Sequence, residues 1–362
     1  MDLTLRGTVL ADGEHTYEQI VVRDGLIETE ARPPAGAQTI EGWVVPGLVD
    51  VHCHIGLGAD GPVDEDTALS QARADLAAGT LLVRDAGSPV DTTWLQDRDD
   101  VPALIRSGNH VARPKRYLRY YAHELQDVTE LPKEMGRQAR FGDGWVKIVG
   151  DWIDRAREAE ADLEPLWPFD VLAEGVAAAH ANGARVTVHT FATETIDDLI
   201  AAGVDCLEHG TGMSSEQIRL AAERGIPVVP TLLQVGQFGQ IADQGAAKFP
   251  RFAARMRQMY ENRYAQVRAF YDAGVPLLVG TDAGGTIAHG QIAAECQEMV
   301  RAGIPPQVVL AAASWSARQY LGRPGISPGA PADLVVYPDD PRTDIGVLAR
   351  PRAVIRRGQL VD

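Results

Sequence analysis

The stretch Val44-Val45-Pro46-Gly47-Leu48-Val49-Asp50-Val51-His52-Cys53-His54 decides how the chain is read. It is an apolar run of strand length that ends on two imidazoles two residues apart, and on a strand such a pair projects from one face. Histidine is the commonest metal ligand, so His52 and His54 can grip one ion. Cys53 alternates to the opposite face and reads as packing. Taken alone, the pair is equally well an accident of a solvated strand end, and other strand ends have to break the tie.

Outward from this stretch, short apolar runs alternate with segments of helical period up to about residue 325, the pattern of parallel strands joined by crossover helices. The predicted strands are residues 44–52, 80–85, 103–107, 145–149, 185–189, 204–208, 227–229 and 276–281. Helical stretches fall at 65–77, 169–181, 194–201, 215–223 and 255–273, several followed closely by the Gly that favours helix ends. Eight such units predict an α/β fold, a (β/α)8 TIM barrel, over residues 46–328. Residues 1–45 and 329–362 carry short strands and turns instead, and neither is long enough for a core of its own. They are expected to combine into one small β-sandwich, since chain termini often lie close together.

Composition narrows the function. Fifty Asp and Glu against 34 Lys and Arg give a formal charge of −16, which disfavours a nucleic-acid or anionic-membrane partner. The basic run Arg113, Lys115, Arg116 and Arg119 therefore reads as a solvated or anion-binding loop. No stretch reaches the roughly 20 apolar residues of a membrane span. Three widely spaced cysteines, Cys53, Cys206 and Cys296, are a poor basis for disulfides and fit a reducing compartment, so the expected location is the cytoplasm. A small-molecule substrate is expected, and a homo-oligomer is compatible with the sequence.

The other strand ends break the tie in favour of metal. His189 closes Arg185-Val186-Thr187-Val188-His189, His209 follows Val204 to Glu208, and Asp282 follows Leu277 to Thr281. Any one of these is more often a structural histidine or a helix cap. Together with His52 and His54 they place five metal-type side chains at the C-terminal ends of four strands, where barrel enzymes assemble their sites. Lys147, in Trp145-Val146-Lys147-Ile148-Val149, is one of only four lysines beside 30 arginines. A lysine can lose its proton when desolvated and an arginine cannot. A reactive amine and a lysine paired with Asp151 or Asp154 fit its spacing equally well.

At this point the chain resembles the amidohydrolase superfamily, in particular its prolidase-like and imidazolonepropionase-like members. The marks are Pro46 to His54, Trp145-Val146-Lys147-Ile148, Val188-His189, Glu208-His209-Gly210, Pro230-Thr231-Leu232, Gly280-Thr281-Asp282-Ala283-Gly284 and the ending Gly329-Ala330-Pro331-Ala332-Asp333-Leu334-Val335-Val336. The resemblance implies a carbamate on Lys147 bridging two divalent metals. It implies His52, His54 and Asp282 on one metal and His189 and His209 on the other. Nitrogen and oxygen ligands of this kind suit zinc, with manganese, cobalt or iron as alternatives.

The expected activity is hydrolysis of an amide-type C–N bond in a dipeptide, an N-acyl amino acid or a cyclic amide. A metal-activated water would attack, and Asp282, the expected catalytic residue, would carry its proton to the leaving nitrogen. The alternatives are a mononuclear deaminase or imidazolonepropionase-like ring hydrolase without the carbamate, a lactonase or esterase, and a non-catalytic barrel protein. Candidate substrate contacts on the loops are Tyr121, His123, Glu124, Asp151, Trp152, Arg155 and His289, each also readable as a packing or surface residue.

Overall fold

Pro46 and Gly47 split the deciding stretch in two. The computed structural model describes residues 2–361, and in it the strand Gln38–Pro46 belongs to a sheet built from the chain ends, whereas Leu48–Cys53 opens the parallel sheets. The hydrogen bonding changes partner at this point: Gly47 N–H donates to Asp333 O and Leu48 N–H to Gly79 O, both at 2.9 Å. Leu81 packs so close to Gly47 that a Cβ there would stand 2.2 Å from its Cδ1. The single strand expected over 44–52 is corrected accordingly.

The chain-end sheet has seven strands. Its order is Gln359–Leu360, Ala353–Arg356, Leu334–Tyr337, Gln38–Pro46, Leu3–Leu10, Thr16–Arg23 and Leu26–Glu28. Leu3, Leu5, Ile20, Val22, Val44, Leu334, Val336 and Ile355 form one buried cluster on it. Hydrogen bonds link all seven strands in one sheet, where the sequence suggests a sandwich.

Two further sets of strands are short, parallel and almost wholly buried. Leu48–Cys53, Thr80–Asp85 and Ala103–Arg106 pair in that order, as do Val111–Ala112, Trp145–Val149, Arg185–Thr190, Cys206–His209 and Val228–Val229. Parallel strands covered by helices on the outside and packed side chains within read as continuous apolar runs, which is why they stand out in the sequence. The eighth segment differs. Residues 276–281 form no continuous strand: Leu277 bridges to Val228 and Ala283 to Cys53, with Leu278 N–H to Val228 O at 3.1 Å and Val51 N–H to Val279 O at 3.0 Å. Pro276 supplies no N–H, and the chain leaves the extended conformation at Asp282 (φ 57°), so the ladder is short. The segment still lies between the seventh strand and the first, giving a TIM-barrel-like arrangement.

The helices lie close to their expected positions. Glu65–Ala77 is capped by Asp64, and Ser215–Glu223 by a reciprocal pair of bonds between Ser214 and Gln217. The helix expected from Arg255 starts earlier, as Pro250–Asp272, because Pro250 suits a first helical turn. Among the described residues no helix is long and apolar enough to cross a membrane.

Candidate metal centre

Three non-glycine residues at adjacent strand ends hold a left-handed backbone: His209 (φ 66°), Thr231 (φ 47°) and Asp282 (φ 57°). Such conformations cost on the order of 1–3 kcal/mol each and persist only where the surroundings enforce them. At His209 the consequence is direct. Neighbours on a regular strand face opposite ways, but the left-handed turn lets Glu208 and His209 both point inward. Glu208 Oε1 lies 3.5 Å from His52 Nδ1, and the His209 ring centroid is 5.2 Å from that of His52.

The structure brings all six predicted ligands together. His52 Nε2 and His54 Nε2 converge on the same oxygen, Asp282 Oδ1, at 3.0 and 3.2 Å. On the other side His209 Nε2 meets His189 Nδ1 at 2.9 Å. Lys147 Nζ contacts Glu208 Oε2 directly. Ligand atoms of His52, His54 and Asp282 form one cluster compact enough for an ion, and those of His52, Glu208 and His209 form a second.

Acceptor-only partners fix two tautomers. His54 Nδ1 lies 2.7 Å from Gly87 O and must donate to it, leaving Nε2 with a free lone pair. Thr231 Oγ1 donates its own proton to Pro230 O at 2.8 Å, so it accepts from His209 Nδ1 at 2.6 Å, and His209 Nε2 keeps a lone pair, turned towards His189 Nδ1. Both nitrogens of His52 and Nε2 of His189 are buried without an aligned hydrogen bond. Buried polar groups are rarely left unpaired. The first strand is stitched to the eighth segment by Asp50, which accepts from His52 N–H (3.0 Å), Thr281 N–H (3.1 Å) and Thr281 Oγ1 (2.6 Å).

Burial decides the charge states of the imidazoles. It pushes His52 down, His189 well down and His209 to about 3, so these rings stay neutral, the form that offers a lone pair to a cation. For Asp282 burial works upward, but the imidazoles of His52 and His54 against its Oδ1 outweigh it and hold the carboxyl well below the usual range. Glu208 is likewise buried, and His52, Lys147 and Arg84 keep it ionised. Thr187 Oγ1 donates to Glu208 at 2.7 Å, and Arg84 stands 3.7 Å away with its Nε bound to Val51 O.

The predicted substrate contacts are mostly engaged elsewhere. Asp151 is buried and accepts from Thr190 Oγ1, Phe191 N–H and Ala192 N–H, which fixes the turn after His189. His289 is paired with Asp75 at 2.8 Å. The Tyr121 hydroxyl donates to Gly58 O at 3.0 Å. His123 and Glu124 are exposed, with His123 3.7 Å from Glu134, and Arg155 is exposed. Trp152 does face the centre, its ring 5.4 Å from that of His189 and 4.8 Å from that of Tyr117. Sequence reasoning missed the roles of Glu208 and Thr231 and overlooked His110. His110 is fully buried, both its nitrogens lack partners, and its ring lies 5.4 Å from that of His54 and 5.5 Å from that of Tyr117.

This geometry belongs to a known class. The family model described as "Amidohydrolase family" matches residues 43–361, and the chain belongs to that family; it is a hydrolase of C–N bonds. It is 50% identical over 359 residues to an uncharacterized protein of Mycobacterium tuberculosis, covering 99% of this chain and 95% of that one. It is 27% identical to a 5-methylthioadenosine/S-adenosylhomocysteine deaminase of Halobacterium salinarum, over 78% of this chain and 69% of that one. Among solved structures it resembles a Xaa-Pro dipeptidase with methionine bound in its active site, with a TM-score of 0.82, 22% identity and 99% coverage of both chains.

Proposed function

We propose that the chain hydrolyses an amide-type C–N bond in a small molecule, a dipeptide, an N-acyl amino acid or a cyclic amide, with two divalent ions, zinc first among them. His52, His54 and Asp282 would hold one ion, His189 and His209 the other, and a carbamate on Lys147 would join them. The observation that carries this reading is the convergence of His52 Nε2 and His54 Nε2 on Asp282 Oδ1 beside the facing pair His189 Nδ1 and His209 Nε2. Neutral, tautomer-fixed imidazoles and unpaired buried ring nitrogens fit a cation better than they fit one another. The likeness to a dipeptidase structure supports the substrate class.

When bound, the ions would polarise the scissile carbonyl and bring the pKa of water towards neutral. The chain's own residues account for the rest. Asp282, held ionised beside His52 and His54, accepts a proton from water and returns it to the leaving nitrogen. Carbamate formation joins the neutral Lys147 amine to carbon dioxide with release of one proton, and it turns a cation that two metals would repel into an anion. The carbamate would compete with the Lys147–Glu208 contact, so Glu208 would turn to Arg84 and Thr187, which already reach it.

That same contact favours a second reading, in which Lys147 stays an ammonium neutralised by Glu208 and a single ion sits among the remaining ligands, as in a deaminase or ring hydrolase. The deaminase relative supports it. Elemental analysis of protein purified without chelator, beside Lys147→Ala, decides between them. About two metals per chain, falling together with amide hydrolysis in the variant, is the expected result. One metal, indifferent to Lys147, selects the second reading. Three buried, unpaired cysteines fit the cytoplasm as the proposed location.

A further inference from the structure

Pro230-Thr231-Leu232 leads into a single helical turn, Leu232–Val235, with Thr231 at the position before it. Threonine there normally caps the turn through its side-chain oxygen. Thr231 makes no such bond. Its backbone is left-handed (φ 47°, ψ 54°), uncommon for a β-branched residue, and its hydroxyl turns to His209 Nδ1 at 2.6 Å instead.

The missing cap is supplied from 63 residues away. Glu295, on the helix Ile292–Arg301, is fully buried and directs Oε1 at Leu232 N–H (2.6 Å) and Oε2 at Leu233 N–H (2.9 Å). A buried carboxyl group is a costly way to satisfy two amides that a local side chain could reach. What it achieves is to free the Thr231 hydroxyl. Because that hydroxyl also donates to Pro230 O, it can only accept from His209, which fixes the His209 proton on Nδ1 and aims Nε2 at the centre.

We infer that Glu295 is a positioning residue for His209: by capping Leu232 and Leu233 it holds Thr231 in its left-handed conformation with the hydroxyl on His209 Nδ1. The importance of this for metal uptake rests on the proposal that His209 is a ligand, but the positioning itself does not.

The test uses full-length wild type, Thr231→Val, Thr231→Ser, Glu295→Ala and Glu295→Gln. Long-range proton–nitrogen NMR of histidine-labelled, metal-free protein reads the His209 tautomer. The wild type and Thr231→Ser should show the Nδ1–H form. Thr231→Val and Glu295→Ala should lose it, with Glu295→Gln, which keeps one acceptor and is the safer variant to fold, in between. Zinc titration against a competing chelator should then show affinity at one site falling about ten- to a hundredfold in Thr231→Val and Glu295→Ala, with recovery in Thr231→Ser. A His209 tautomer unchanged in folded Glu295→Gln and Thr231→Val overturns the inference. A tautomer that responds while zinc affinity does not leaves the positioning standing and removes His209 from the ligand set.

Discussion

His54 Nε2 lies 3.2 Å from Asp282 Oδ1, across 228 positions of sequence. The same oxygen is 3.0 Å from His52 Nε2, so a single carboxylate oxygen is the focus of the first strand. Under the proposed reading, an ionised carboxylate here would both anchor a cation and accept a proton. Asp282→Asn keeps the size and one acceptor oxygen but cannot take up a proton. Turnover of any amide substrate found by screening should fall by about 10²–10⁴-fold with modest change in bound metal. Near-normal turnover in a metal-replete variant would remove Asp282 from proton transfer.

Lys147 and Glu208 are in contact and fully buried, so neither can lose its partner to water. Lys147→Met should destabilise the metal-free protein by about 3 kcal/mol, the lower end for breaking a buried pair, because Arg84 stays beside Glu208. The double variant Lys147→Met with Glu208→Leu should recover a good part of that loss in urea unfolding. A single variant as stable as wild type would mean that Arg84 and His52 already balance Glu208.

Much of this site was legible because apolar strands stop abruptly at polar side chains: Val51 gives way to His52, Val188 to His189. Local pattern fails where the chain departs from regular geometry. Glu208 reads as facing away from His209 under strict alternation, and only the left-handed turn at His209 brings both inward. His110 follows the irregular run Ser107-Gly108-Asn109, so no strand pattern ends on it. Asp151 and His289 stay ambiguous in sequence for the opposite reason. A strand-end carboxylate that caps backbone amides, or a loop histidine paired with a helix aspartate, looks in sequence like one that waits for a ligand. The split at Pro46-Gly47 was likewise hidden, since the apolar run continues through it while the hydrogen-bond partners change.

Gly280 sets how closely the eighth segment approaches the first strand. A Cβ there would stand 2.6 Å from His52 Cβ and 2.8 Å from His52 N, both on a strand that cannot yield without moving His52. Gly280→Ala is therefore expected to cost about 1–3 kcal/mol through overpacking, and to weaken metal retention more than Gly274→Ala, where a Cβ meets nothing within 4 Å. Gly274 has φ +79°, so its alanine variant carries backbone strain without crowding, which makes it the matched control. Chelator competition on the two variants separates a shifted His52 from general loss of stability.

Glu295 gives the protein a pH dependence of calculable sign. Burial raises its carboxyl from an ordinary 4.5 to about 8, with Asp50 and Glu298 adding to the rise and the Leu232 and Leu233 amides opposing it. Between those two values the folded chain holds a proton that the unfolded chain has released, so the native state binds more protons and stability falls as pH rises. The contribution is fully present below about pH 4.5 and lost as pH passes through 8. Unfolding midpoints of metal-free protein, taken from pH 5 to 9, should therefore decline in wild type. Glu295→Gln cannot titrate, so its curve should decline less. Parallel curves for the two proteins would show that the Leu232 and Leu233 amides hold Glu295 ionised throughout, and that the slope arises at other buried carboxylates such as Asp151, which burial raises to about 6.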